Sequence, residues 1–215
     1  MLKVSQLHGF NIVSTVSVVT SFYSQVLTNT ADSTSYSFSS TSIGTEPAAG
    51  QKRYIVLVVG QLGGSNANLN SLTIGGNAVT IIDNGTTSAN VKIGMLEVPT
   101  GTTATVAATF SATRYACAIA VYFVYTTGSS LDVVGQGSGT STANVNTEAG
   151  GVVIAGSLDS TYTTSVTWTG VSEQYDAALG TAFRFSTAVI ATVIAETPRT
   201  ITAATHDTCR SVCLR

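Results

Sequence analysis

The sequence predicts an all-β protein, a two-sheet sandwich of jelly-roll or immunoglobulin-like type preceded by an extended N-terminal arm. Three observations carry that expectation. Apolar residues almost never recur at helical spacing. Strand-length apolar or alternating segments instead return about every ten to fifteen residues, separated by Gly, Asn and Ser clusters. Ser and Thr fill 60 of the 215 positions (25 Ser, 35 Thr), and β-branched Thr suits the pleated, half-buried face of a strand.

Taken in order, residues 1–30 contain Leu2, Val4, Leu7, Phe10, Ile12, Val13, Val16, Val18, Val19, Phe22, Tyr23, Val26 and Leu27, with no turn residue apart from Gly9. So many apolar side chains on a free tail would forgo ~1.5–3 kcal/mol of burial each. The segment is therefore read as an arm that packs on another copy or another protein. Residues 35–42 alternate aromatic and polar and read as a half-buried strand. Arg53–Gly60 holds the continuous run Tyr-Ile-Val-Leu-Val-Val, a strand covered on both faces. Ser71–Ile82 carries two alternating segments around Gly75-Gly76-Asn77, a hairpin signal. Asn90–Val98 is the next strand, stopped by Pro99-Thr100-Gly101. Thr103–Phe110, Cys117–Thr126, Gly151–Ser157 and Ser165–Thr169 continue the series, and Ala182–Ala195 reads as two strands or one bent one. Gly128–Asn146 reads as an excursion loop carrying one strand. The expected organisation is an assembly arm (1–30), a β-sandwich domain (31–205) and a C-terminal tail (206–215).

Charge excludes several classes of protein. Charged residues are 9% of the chain, against roughly 25% in ordinary soluble domains. Nine Lys/Arg face eleven Asp/Glu, with no basic cluster beyond Lys52-Arg53, so nucleic acid is not an expected partner. No apolar run approaches the ~18 residues of a membrane-spanning helix, and no membrane partner is expected. The N-terminus lacks the unbroken apolar stretch of a signal peptide. With 44% hydrophobic residues the chain is not a disordered one. A Ser/Thr surface poor in charge does little to repel other copies at strand edges, and suits a protein packed in an assembly.

Candidate chemistry is sparse. A serine triad needs a base, and both histidines, His8 and His206, fall in terminal segments read as solvated. Among the acids, Glu173 and Asp176 lie close together beside Trp168 and Tyr175. These four form a candidate ligand tip, for a glycan or as the carboxylate pair of a glycoside hydrolase. Asp83-Asn84-Gly85-Thr86 lacks the further oxygen ligands calcium needs and reads as a turn. Gly135-Gln-Gly-Ser-Gly139 matches only part of a phosphate-binding glycine pattern, with no helix after it. Cys117 reads as a buried core residue, and Cys209 and Cys213 as thiols on the tail. No catalytic residue, metal or cofactor is expected.

Several segments resemble a group of small virion proteins of tailed bacteriophages. The opening Val4-Ser5-Gln6-Leu7-His8-Gly9-Phe10 is similar to that group's start. Ser42-Ile43-Gly44-Thr45 with Arg53–Gly60 resembles its first core strand pair. Leu72–Ala78 and Val98–Thr103 resemble its hairpin and a following turn, and Ser165–Gly170 with Glu173 a later strand. The resemblance implies a non-enzymatic structural component of the virion, a decoration or cement protein on the capsid. Its partners would be the major capsid protein or other virion proteins, and it would be a homo-oligomer, with a trimer as first expectation. The arm residues Val4, Leu7, Phe10, Ile12, Val16, Val19, Phe22 and Tyr23 would make the contacts. The alternatives are a receptor- or glycan-binding module of a head spike or tail fibre, with Trp168, Tyr175 and loop 128–146 at its tip, and a glycoside hydrolase.

Overall fold

The computed structural model describes residues 17–84, 89–128, 130–161, 163–191 and 193–215, and every regular element among them is a strand. The first nine are β1 (Ser17–Asn29), β2 (Ser33–Ser42), β3 (Gln51–Leu62), β4 (Leu69–Ile74), β5 (Asn77–Ala78), β6 (Thr80–Asn84), β7 (Ala89–Glu97), β8 (Thr103–Arg114) and β9 (Ala116–Thr127). They form two sheets, an N-inner sheet of order β1-β9-β3-β7-β6 and an N-outer sheet of order β2-β8-β4-β5. The remaining eight are β10 (Val133–Gly139), β11 (Thr142–Thr147), β12 (Val152–Asp159), β13 (Thr167–Thr169), β14 (Ser172–Leu179), β15 (Phe183–Ile190), β16 (Glu196–Ala204) and β17 (Thr208–Leu214). These give a C-inner sheet, β10-β17-β12-β15-β14, and a C-outer sheet, β11-β16-β13. All the pairings are antiparallel. The β-sandwich expectation is met and extended, because the chain builds two sandwiches in succession.

Side-chain alternation stacks the four sheets in layers. On β3, Tyr54, Val56 and Val58 join the core shared with the C-inner sheet. Ile55, Leu57 and Val59 join the core shared with the N-outer sheet. β9 repeats this, with Ala118, Ala120, Tyr122 and Val124 on one side and Cys117, Ile119 and Val121 on the other. The continuous apolar runs of β3 and β9 follow directly, since strands covered on both faces cannot alternate with polar residues. In the second half, Val152, Ile154 and Leu158 face the N-inner sheet, whereas Val153 and Ala155 pack with Ala143, Val145, Ile201 and Ala203 of the C-outer sheet.

Glycines set the two inner sheets close together. A Cβ on Gly60 would strike the Phe185 ring, and one on Gly156 would strike Val58 and Val91. Each sheet thus receives a side chain of the other where it has none itself. Glycines also dispose of the partial phosphate pattern: a Cβ on Gly135, Gly137 or Gly139 would meet backbone of Asn146, Asn144 or Thr142. They let β10 lie against β11. Gly75 and Gly76 hold φ of 58° and 83° in the two-residue loop between the Ile74–Asn77 pair, as a type I′ hairpin turn requires.

Arg53 is wholly buried, although it belongs to the only basic pair in the chain. Its five N–H groups meet five backbone carbonyls: Nε that of Val98, Nη1 those of Gly44 and Thr45, Nη2 those of Thr100 and Gly101, at 2.7–2.9 Å. The guanidinium therefore clips the loop after β2 to the turn after β7. Lys92 and Arg114 are also fully buried, so three of the nine basic residues contribute no charge to the exterior.

Several sequence expectations are corrected. Ser17–Asn29 is not a detached arm: it pairs with β9 as an edge strand of its own chain. Tyr23 packs into the inner core, 5.5 Å from Tyr122. The arm positions Val4, Leu7, Phe10, Ile12 and Val16 lie outside the described residues, as do the side chains of Val19 and Phe22. Residues 206–215 are not a tail, since β17 is an interior strand of the C-inner sheet between β10 and β12. Its Cys209 and Cys213 are buried rather than accessible. Segment 128–146 holds two strands, not a loop with one. Of the two readings of Ala182–Ala195, the described residues show one strand, β15. The Gly85–Thr86 part of the rejected calcium fragment lies outside the described residues.

Two outcomes follow. Gly60→Ala and Gly156→Ala should each lower unfolding free energy by about 1–3 kcal/mol through overpacking, measured by denaturant titration; a neutral effect would contradict the close approach of the inner sheets. Cys117, Cys209 and Cys213 are free and their pKa values are raised by burial, that of Cys209 to about 12. An aqueous thiol reagent should therefore label none of the three rapidly until the protein is unfolded.

Candidate functional site

A polar cluster lies at one end of the space between the C-inner and C-outer sheets. It contains two of the four residues expected at the ligand tip and several the sequence did not single out. Asp176 on β14 accepts two hydrogen bonds from Arg184 on the neighbouring β15, Nε to Oδ1 at 2.7 Å and Nη2 to Oδ2 at 2.8 Å. Both side chains are largely shielded from solvent. The Val166 amide also donates to Asp176 Oδ2 at 3.3 Å. Arg184 lies directly across the sheet from Asp159 on β12, whose carboxylate receives the Thr161 amide and hydroxyl. An Asp–Arg–Asp row thus runs across three strands.

Trp168 on β13 caps this row. Its indole Nε1 donates to Ser186 Oγ at 2.8 Å, and the buried Ser186 hydroxyl donates to the Tyr175 carbonyl at 2.7 Å. The indole is half-buried against the outer core. Tyr175 points the other way, packing on the inner core 6.3 Å from Phe185. A bulge between Glu173 and Tyr175 accompanies this divergence. Trp168 and Tyr175 therefore occupy opposite sides of the C-inner sheet and do not form one aromatic platform. Glu173 is exposed. Its carboxyl is pushed up, first by partial desolvation and then by the charge of Asp176, with Arg184 opposing. With Asp176 held in a bidentate ion pair, this couple lacks the two available carboxylates that glycoside hydrolysis uses.

His206, expected to be solvated, is buried beneath the row. The turn after β16 places it there through Thr205, which sits at φ 75°, the left-handed region that a β-branched residue rarely enters. Ser157 Oγ and His206 Nδ1 are 2.7 Å apart. Nε2 is buried with no hydrogen-bond partner among the described residues. The pair has the atoms of a nucleophile and its base, but Ser157 is completely enclosed, so a substrate cannot reach it. His8 lies outside the described residues. Among the described residues no group of three or more His, Cys, Asp and Glu side chains could hold a metal.

Arg184, Asp159, Ser186 and Ser157 were not singled out from sequence. Their only local signal is alternation: Arg184 falls between Phe183 and Phe185, Ser186 follows Phe185, and Ser157 and Asp159 flank Leu158, apolar residues that face the inner core. Comparison with protein-family models, curated proteins and solved structures returns no match for this chain.

Burial holds His206 below its ordinary value of 6.5, assisted by Arg184 and opposed by Asp159, Asp176 and Asp207. A histidine depressed in the native state binds its proton better in the unfolded chain. Its contribution is complete above about 6.5 and declines as pH falls from there toward the lower native value. Denaturant titrations should show stability falling on acidification below neutral. His206→Asn, which keeps a polar partner for Ser157, should remove much of that slope, and an unchanged slope would assign it to other groups.

Proposed function

We propose that the protein is a non-enzymatic structural component of a bacteriophage virion that decorates or cements the capsid, acting as a homo-oligomer or on the major capsid protein. The observation that carries this reading is the edge strand β1. It runs for 13 residues, is paired on one side only among the described residues, and contains neither a charged residue nor proline. Natural sheets guard such edges with lysine, proline or very short strands, because an open row of N–H and C=O groups recruits other strands. Among the described residues the edge carries a pair of bulges, between Val18 and Thr20 and between Tyr23 and Gln25, and no other such device.

The next strand, β2, is the edge of the N-outer sheet, and it too lacks any charge. By contrast, edge strand β14 carries Glu173 and Asp176, and β5 has two residues. Low exterior charge and an unguarded edge fit a protein held by strand addition between neighbours. Individually weak contacts then gain from repetition on a lattice. The segments resembling phage virion proteins, Arg53–Gly60 and Leu72–Ala78 among them, supply the setting.

Antibodies raised against the protein should label phage particles over the whole head in electron micrographs. Labelling confined to one vertex or the tail would favour a spike or fibre, and absence from particles would overturn the reading. Ser24→Lys, at the β1 bulge, should alter stability by less than about 0.5 kcal/mol yet weaken attachment to particles depleted of the protein. Undiminished attachment would remove β1 as the contact.

A further inference from the structure

We propose that a cleft at the junction of the two sandwiches, built around Tyr115 and Asp32, is a binding site for a neutral saccharide. The cleft has a volume of about 440 Å3 and is lined by Thr30, Asp32, Tyr115, Leu179, Gly180, Thr181 and Ala182. Pockets of a few hundred Å3 are the usual size for small-molecule sites. Its walls are three turns: β1–β2, β8–β9, and β14–β15 from the second sandwich.

These walls are tied in place. The buried Tyr36 hydroxyl lies 3.0 Å from the Ala31 carbonyl and 2.8 Å from that of Arg114, joining the first two turns. Burial raises its pKa to about 12, so it remains a donor. The Tyr115 amide donates to the Leu62 carbonyl at 2.8 Å, and the Tyr115 hydroxyl rests where a Cβ on Gly64 would stand. The third turn is closed by the Ala182 amide on the Leu179 carbonyl at 3.0 Å, with Leu179 anchored in the inner core. A site fixed before its ligand arrives loses less freedom on binding.

Within this rigid frame Tyr115 is 46% exposed, one of two large hydrophobic side chains so displayed among the described residues. An aromatic ring at the rim of a polar cleft offers a surface for the C–H face of a sugar ring. Asp32 supplies acceptors for sugar hydroxyls, and Thr30 and Thr181 both donate and accept. Among the described residues no lysine or arginine lines the cleft, which disfavours acidic sugars. A quaternary amine is recognised by several aromatic faces enclosing it, and among the described residues Tyr115 is the one aromatic side chain lining the cleft. This inference goes beyond the assembly reading and does not rest on it.

The test is amide chemical-shift mapping on the full chain. The probes are neutral disaccharides of glucose, galactose and N-acetylglucosamine, with glucuronic acid and choline for comparison. Shifts are expected at Asp32, Tyr115, Gly180 and Thr181 with at least one neutral disaccharide and with neither comparison compound. Tyr115→Ala should weaken binding about tenfold or more, corresponding to ~1.4 kcal/mol. Asp32→Asn should weaken it severalfold, Tyr115→Phe should retain it, and Ile194→Ala, at the other exposed apolar position, should change nothing. No shift with any neutral disaccharide, equal response to choline, or full binding by Tyr115→Ala would each overturn the proposal.

Discussion

The contact between the two inner sheets is the constraint on which the molecule depends. Each is covered on one face by the other and on its second face by an outer sheet. Their strands are therefore apolar on both sides except where polar side chains satisfy one another, as in the row of Asp159, Arg184 and Asp176. That coverage explains the runs of Val, Ile, Leu and Ala in β3, β9 and β12, which are among the longest apolar stretches in a chain otherwise rich in Ser and Thr. Reciprocal insertion of Phe185 over Gly60 and of Val58 over Gly156 fixes how the two sandwiches sit. Dispersion contacts of this kind are individually small and collectively decisive.

Charge is used sparingly and mostly inside. Arg53 replaces water with five backbone carbonyls, which keeps a buried cation tolerable without a carboxylate in contact. Asp176 and Arg184 shield each other in the opposite way, by a bidentate ion pair. Such arrangements specify geometry more than they add stability. They also withdraw charge from the surface, so the exterior is even less charged than the composition indicates.

An exterior of this sort has consequences for recognition. Long-range electrostatic steering is weak, and contacts must be made by backbone edges, hydroxyls and a few exposed aromatic rings. The open edge of β1 and the cleft at Tyr115 are two surfaces of that description. The cluster of Trp168, Asp176, Arg184 and His206 is not one: Asp176 and Arg184 are paired with each other, the Trp168 indole is bonded to Ser186, and the Ser157–His206 pair is enclosed.

By itself the sequence determined the all-β class, the two-faced burial of Arg53–Gly60, the burial of Cys117 on its strand, and the Gly75-Gly76 hairpin. Each is local, a matter of side-chain period or of a residue that tolerates positive φ. The amino-acid pattern could not separate an assembly arm from an edge strand over Ser17–Asn29, because both present exposed apolar residues until a neighbour is known. It likewise left Thr208–Leu214 as a tail, since a seven-residue strand broken by Arg210 and Ser211 shows its burial only when β10 and β12 flank it. Tertiary structure alone placed His206 against Ser157 and Arg184 between two aspartates. It alone brought Asp32, Tyr115 and Gly180 into one cleft, because these residues are separated by tens of positions and meet only through the stacking of four sheets.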